Sequence, residues 1–451
     1  MTEIGGGRLA LFFEGSRELK MTTSLGGRAW TSPTVAVSYK NTSCSPANPT
    51  PYYDSDTSTL YLAYRCPSTT DNFYTARIEY VKSTDNGVSW SKPYTVALST
   101  VHSQEEYGGM WEPTIYRIEG KLRIYYSCST LKEGTGQVVI NPGTEHERID
   151  DTFPYVPSKS YQNIVMHELD EESGAWSGGV GVYRGEDHLP YKPVGTKYHC
   201  RDGMQSITRL SDGTYVMAVE TSKYNVANSY GMTRYPMVVD ISFSRDGVSF
   251  TDPITVGVPK KAKYKCAAPW VVTLPDGRIA ISYQTDDYLE SQKSDGKNYG
   301  QLKVIISKSA VTYEDAGRIT AEDFEGFYPF ESLNNEVTYN YWNALYVSGT
   351  KLYAMGNIST NDKTHTPARG TMLAVFDVGE AKIPDKDSTD TAAATTENST
   401  ISPDTADGTT AAAAASSPAE KKTYLGAVIA AVGAVAVAAS AIAVFIIKRR
   451  K

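Results

Sequence analysis

An all-β chain, organised as a six-bladed β-propeller with a C-terminal stalk and a single membrane-spanning helix, is what three features of this sequence predict. A serine-aspartate-glycine turn ending on an aromatic ring recurs, an alternating strand follows a turn six times over, and the composition carries 36 Gly, 32 Tyr and 11% aromatic residues in 451. Such a composition suits strands and tight turns rather than a helical bundle.

The turn is clearest in "STDNGVSW", Ser83 to Trp90, and "SRDGVSF", Ser244 to Phe250. Asp and Ser side chains in this spacing bond the loop's own amides, Gly takes positive φ, and the ring is pinned between sheets. "SLGGRAW" from Ser24 matches the second example with Gly26 where Asp246 stands, and "DEESGAW" from Asp170 is a looser copy. These turns staple the architecture and carry no chemistry.

The strands follow in "GGRLALFFEG", "TSTLYLAYR", "EGKLRIYYS", "DGTYVMAVE", "DGRIAISYQ" and "SGTKLYAMG", anchored at Leu9, Leu60, Leu122, Tyr215, Ile279 and Leu352. Period-two alternation is that of a half-buried strand, and the spacing leaves room for four short strands per unit. Radial repetition of six such units limits exposed edges and lines a central channel with the innermost strands. Five units are preceded by a further short strand. The first is not, so an incomplete first blade is expected, and with it a start upstream of Met1. The longest unit holds an insertion, roughly 132–160, expected as a loop over one face.

Net charge of −7 and a pI near 5.5 exclude a nucleic-acid binder, since no basic stripe neutralises phosphates. Five cysteines without a CxxC pair make no disulfide scaffold, although Cys44 and Cys66 are placed to bridge if they flank one hairpin. The histidines show no metal-ligand spacing, so no metal and no cofactor is expected.

The propeller is read as residues 1–383. Residues 384–423, rich in Ala, Thr, Ser, Asp and Pro, cannot bury enough surface to fold and read as a flexible stalk. Tyr424 to Ile447 carries no charge and is long enough, at about 1.5 Å per residue, to cross a hydrocarbon core of roughly 30 Å. The basic tail 448–451 is then expected in the cytoplasm and the propeller outside a plasma membrane, where Asn-x-Ser/Thr sites at Asn41, Asn357 and Asn398 suit an exposed face. The opening "MTEIGGGRLALFFEG" has no apolar signal core.

Polar residues near the starts of inner strands, or at the ends of the strands next to them, meet in one funnel. There the sequence places Glu112, Asp202, Glu220, Asp286 and Asp287. Gathering carboxylates on an apolar wall is costly unless charge is needed, and paired carboxylates are the usual equipment for glycosidic cleavage. One protonates the leaving oxygen while the other attacks the sugar or activates water. Trp111, Trp270, Tyr341 and Trp342 offer ring faces that stack on sugars or fill the core.

"WEPTIYRIEGKLRIYYS", "RDGMQSITRLSDGTYVMAVE" and "APWVVTLPDGRIAISYQTDD" resemble successive blades of the exo-arabinanases of glycoside hydrolase family ninety-three, relatives of the sialidases. The serine-aspartate-glycine turns likewise resemble the Asp boxes of the sialidase superfamily. The resemblance spans about residues 6–380. It implies a retaining exo-glycosidase with two catalytic glutamates, which map onto Glu112 and Glu220. From their place around the funnel, Trp111, Arg201, Asp202, Trp270, Asp286, Asp287, Tyr341 and Trp342 are the residues expected to contact a carbohydrate substrate. A sialidase would need three arginines, for which Arg65, Arg201 and Arg234 are the candidates. A non-catalytic carbohydrate-binding propeller on a stalk is the third reading.

Overall fold

The computed structural model describes residues 1–379 except 71–72, 102–108, 130–135, 154–160, 185–199, 223–236, 260–265, 286–300, 331–336 and 361–368; beyond these it describes 426–430 and 445–447. Six antiparallel units succeed one another. Blade 1 is Thr2–Ile4, Arg8–Glu14, Glu18–Leu25 and Thr34–Ser38, and blade 2 is Ala47–Asp54, Thr59–Arg65, Phe73–Ser83 and Tyr94–Val101. Blade 3 is Met110–Ile118, Lys121–Ser129, Tyr161–Asp170 and Val180–Arg184. Blade 4 is Cys200–Arg209, Tyr215–Ser222, Met237–Ser244 and Ile254–Gly257. Blade 5 is Cys266–Thr273, Ile279–Thr285, Gln301–Ser307 and Phe324–Phe327, and blade 6 begins with Val337–Ser348, Lys351–Thr360 and Arg369–Asp377.

Alternation along the second strands decides which blades touch. In blade 2, Leu60, Leu62 and Tyr64 join Ala10, Phe12 and Met21 of blade 1, whereas Tyr61 and Ala63 join Ile115, Leu122 and Ile124 of blade 3. Successive side chains on a strand point to opposite faces, so one strand feeds two cores. Apolar clusters of the same kind fill the spaces between blades 3 and 4, 4 and 5, and 5 and 6. A last cluster sets Leu9 and Leu11 of blade 1 against Tyr353, Met355 and Leu373 of blade 6 and closes the ring.

That closure corrects the expectation that blade 1 has no inner strand. Thr2–Ile4 occupies the place and pairs with Arg8–Ala10. The Glu3 amide donates to the Tyr346 hydroxyl at 2.8 Å, and the Ser348 hydroxyl donates to the Glu3 carboxylate. Three residues are too few to show an alternation, which is why the sequence hid them.

The insertion is also more than a loop over a face. Gly136–Ile140 pairs with Tyr94–Val101 and Arg148–Ile149 pairs with it in turn, extending blade 2 outward. An outer strand presents unpaired amides and carbonyls, and added strands satisfy them.

The turns behave as their chemistry requires. Ser83 Oγ donates to Asp85 Oδ1 (2.7 Å) and accepts the Gly87 amide (2.8 Å), and Asp85 takes the Ser89 amide (2.9 Å). The Ser89 hydroxyl and amide and the Ser83 hydroxyl hold the Asp85 carboxyl down to about 2. Ser244, Asp246 and Gly247 repeat the pattern, with Gly247 at φ 71. Where Gly26 replaces the aspartate, Ser24 Oγ is buried with no hydrogen-bond partner. Each of these turns joins the third and fourth strands of a blade.

Cys44 and Cys66 are both free and buried, next to each other; the Cys66 thiol holds Cys44 down to about 7, and Arg77 Nη1 lies 3.7 Å from Cys44 Sγ. Asn41 is exposed; Asn357 is on a strand and Asn398 lies outside the described residues. No helix among the described residues is long and apolar enough to cross a membrane. Of the apolar run 424–447, the described parts are two strands rather than a helix: Gly426–Ala430 pairs with Leu373–Phe376 on the outer edge of blade 6, and Phe445–Ile447 pairs with it. Such a run satisfies its backbone either within a helix or, as here, along an open sheet edge. The stalk and the basic tail lie outside the described residues.

Candidate active site

Every inner strand from blade 2 to blade 6 carries one extra residue at the same place. The pairing steps from Ala47–Arg65 to Thr50–Ala63, from Trp111–Ser127 to Thr114–Tyr125, and from Gly203–Glu220 to Ser206–Ala218. It repeats from Ala267–Gln284 to Trp270–Ser282 and from Tyr341–Asn357 to Ala344–Met355. A bulge re-aims the side chain it carries. Asn48, Glu112, Met204 and Ala268 occupy it at φ 54, 50, 52 and 54. For residues with a Cβ this conformation costs on the order of 1–3 kcal/mol each, a strain typical of functional rims. Proline follows in three of the four, and it disfavours the right-handed helical region for the residue before it.

Glu112 is therefore turned out of the strand, and it is 8% exposed. Ser127 Oγ donates to its Oε2 at 2.9 Å, and Gln205 Nε2 of blade 4 donates to its backbone carbonyl at 2.8 Å. Gly203 makes room: a Cβ there would lie 2.7 Å from Gln162 Nε2, 3.0 Å from Ser127 Oγ and 3.5 Å from Glu112 Oε2. Glu220 is the strand partner of Gly203, is 2% exposed, and its Oε2 accepts the amide of Ala268 at 2.8 Å. Glu112 thus approaches the Gly203–Glu220 pairing from blade 3, while Glu220 reaches from it to blade 5. Two buried carboxylates on adjacent blades, each with a fixed donor, are suited to proton transfer and nucleophilic attack.

The other expected residues divide. Asp202 is fully buried on the inner strand of blade 4, opposite Thr221. Trp111 is half-buried beside Glu112, with its ring over Gly109, where a Cβ would fall 2.1 Å from it. Trp270 is half-buried and packs on the cluster between blades 5 and 6, so the core claims part of its ring. Arg201, Tyr341 and Trp342 are on inner strands. Asp286 and Asp287 lie outside the described residues. Among the described residues no group of three or more His, Cys, Asp or Glu side chains is placed to hold a metal.

One carboxylate escaped the sequence reading. The residue of the second strand that faces the bulge is Arg65, Ser127, Glu220, Gln284 or Asn357 in blades 2 to 6, and the same distance beyond Leu9 it is Glu14 in blade 1. Glu14 Oε1 accepts the Asn48 amide at 2.8 Å, and the side chain is exposed. The signal was its spacing from the anchor leucine.

Residues 9–135, which span blades 1 and 2 and the first half of blade 3, match the family described as BNR repeat-like domain. Among solved structures, a glutamate-to-alanine mutant of the α-L-arabinofuranosidase from Fusarium graminearum with an iminosugar inhibitor aligns at TM-score 0.50 and 15% identity, over 82% of this chain and 90% of that one. The same organism's family ninety-three enzyme with arabinobiose aligns at 0.49 and 16%, over 82% and 90%. A Penicillium chrysogenum α-L-arabinanase with arabinobiose aligns at 0.49 and 16%, over 84% and 92%. No curated protein matches the chain. The fold is a six-bladed β-propeller, and its residues 9–135 are similar to the BNR repeat-like domain.

Proposed function

We propose that this chain is a retaining exo-glycosidase that removes terminal neutral, α-linked sugars such as arabinofuranose, with Glu112 and Glu220 as its catalytic pair. The observation that carries this reading is that two buried carboxylates on neighbouring blades are each met by a hydrogen-bond donor, Ser127 Oγ for Glu112 and the Ala268 amide for Glu220. The family resemblance supplies the retaining mechanism, and the similar fold of the Fusarium graminearum α-L-arabinofuranosidase supports the substrate class. The composition of 384–423 and the uncharged run 424–447 before the basic 448–451 support a propeller anchored outside a plasma membrane, and in the anchored state that run would leave the edge of blade 6 and span as a helix.

A panel of aryl glycosides that includes α-L-arabinofuranoside and a sialoside tests the reading. Release from the arabinofuranoside with retained anomeric configuration is expected, reduced about 10²- to 10⁴-fold in Glu112→Gln and Glu220→Gln. Parent-like rates in both variants would sink it. Release from the sialoside alone would favour an exo-α-sialidase, a reading supported by Arg65, whose Nε is buried with no hydrogen-bond partner on the ring next to Glu14. Glycan binding without turnover by the folded chain would make it a binding module.

A further inference from the structure

The inner strands begin at the bulges and end on the opposite face of the ring. Glu112 and Arg117 lie on one such strand, five residues and about 16 Å apart at roughly 3.3 Å per residue. At that far end the inner strands of blades 2, 3 and 4 surround a cavity of about 710 Å³, lined among others by Tyr52, Asp54, Asp56, Tyr116, Arg117 and Arg209. We propose that this cavity is a second carbohydrate site, for a neutral oligosaccharide, separate from the Glu112–Glu220 funnel.

Its volume falls within the roughly 300–1,000 Å³ of small-molecule sites. Its polar groups are already fixed. Arg117 Nε donates to Asp54 Oδ2 at 2.8 Å, Nη1 and Nη2 donate to Glu171 at 3.2 and 2.9 Å, and Nη1 also reaches the Gly120 carbonyl at 2.9 Å. Asp54, 1% exposed, takes the Asp56 amide at 3.2 Å on its other oxygen. A guanidinium clamped by two carboxylates loses little freedom when a ligand arrives.

Two half-buried rings, each resting partly on an inter-blade core, contribute the apolar part of the lining. Tyr52 and Tyr116 meet edge to face, centroids 6.1 Å apart at 70°, and Tyr52 is braced from behind by a stacked Tyr61. Sugars present apolar ring faces and hydroxyl edges, which is the pairing that tyrosine faces and fixed donors and acceptors recognise. Charge decides between sugar classes. Asp54, Asp56 and Glu119 are set against Arg117 and Arg209, so neither a polyanion nor a polycation gains from the site. Asp56 and Arg209 stand exposed at the rim, where Arg209 Nε is engaged by the Gly213 carbonyl at 3.2 Å.

Calorimetry on the full chain carrying Glu112→Gln and Glu220→Gln, with arabinotriose, xylotriose, cellotriose and anionic sialyllactose as probes, tests the proposal without relying on hydrolysis. Binding of at least one neutral trisaccharide is expected, weakened about tenfold or more by adding Asp56→Ala with Arg209→Ala, and blocked by Ser55→Trp at the rim. The melting temperature stays unchanged, and in the otherwise native chain the Asp56 and Arg209 changes leave turnover of a small aryl glycoside within about twofold. The proposal fails if no neutral trisaccharide binds, if binding ignores both rim variants, or if only sialyllactose responds to them. A catalytically silent propeller would still show this binding, so its failure is distinct from failure of the glycosidase reading.

Discussion

Glu14 and Glu220 hold the same position in blades 1 and 4, which stand opposite each other in a ring of six, and each accepts the amide of the bulge residue on the following blade at 2.8 Å. The repeat therefore brings a carboxylate to both sides of the funnel axis. Their surroundings differ: Glu220 is 2% exposed and Glu14 is open to solvent. A desolvated carboxylate is fit for chemistry, whereas a solvated one is fit to accept a substrate hydroxyl.

Glu14→Gln is accordingly expected to lower kcat/KM about tenfold, the scale of one hydrogen bond to a charged group, with the loss in KM and kcat within about twofold. Steady-state kinetics on the aryl α-L-arabinofuranoside provides the check. A fall in kcat of a hundredfold would instead put Glu14 in the chemical step, and unchanged kinetics would make it a bystander.

The stapling turns predict an ordering of stability losses. Gly247 at φ 71 leaves no room, because a Cβ would sit 2.8 Å from Ile118 Cγ2 and 3.1 Å from the Tyr125 hydroxyl, both on buried residues. Gly26, also at φ 71, faces open space. Gly247→Ala should cost about 2–3 kcal/mol and Gly26→Ala about 1 kcal/mol. Denaturant midpoints measure both, and equal losses would contradict the packing described here. Both turns join third to fourth strands, on the face away from the bulges, so turnover per folded molecule should not change.

What was readable in the sequence was what local chemistry decides. Ser83, Asp85 and Gly87 bond within one turn, and the strands after Leu9 or Ile279 show their alternation in seven or eight letters, so both could be placed without knowing their neighbours. Long-range pairing was not readable. Gly136–Ile140 finds its partner in Tyr94–Val101, across residues whose pattern says nothing about an edge. Thr2–Ile4 depends for its place on Tyr346 and Ser348 at the other end of the ring. Glu112 stood out because a charge between Trp111 and Pro113 is unusual. Glu14 did not, because an exposed glutamate at a strand end looks like any solvated rim residue until Asn48 is seen to donate to it. Trp270 shows the reverse: a ring near a funnel suits sugar as well as core, and only packing reveals how much of it the core takes.

His167 gives the stability of the fold a pH dependence whose sign can be worked out. It is fully buried in blade 3; Nδ1 donates to the Ser177 carbonyl at 2.8 Å, which leaves Nε2 to accept from the Tyr126 hydroxyl at 2.9 Å. Burial pushes the imidazole below its ordinary 6.5, against the Ser177 carbonyl and Asp150, which favour the cation. The native chain keeps this ring neutral where the unfolded chain protonates it, so the unfolded state binds the extra proton between the two pKa values. Stability from this group is complete above about pH 6.5 and falls as pH drops through the window below it, by up to about 1.4 kcal/mol per pH unit until the native pKa is reached. Denaturant midpoints between pH 7 and 5 should show that decline, and His167→Gln should flatten it even if the variant is less stable throughout. An imidazole resonance of His167 that titrates near 6.5 in the folded chain would overturn the assignment.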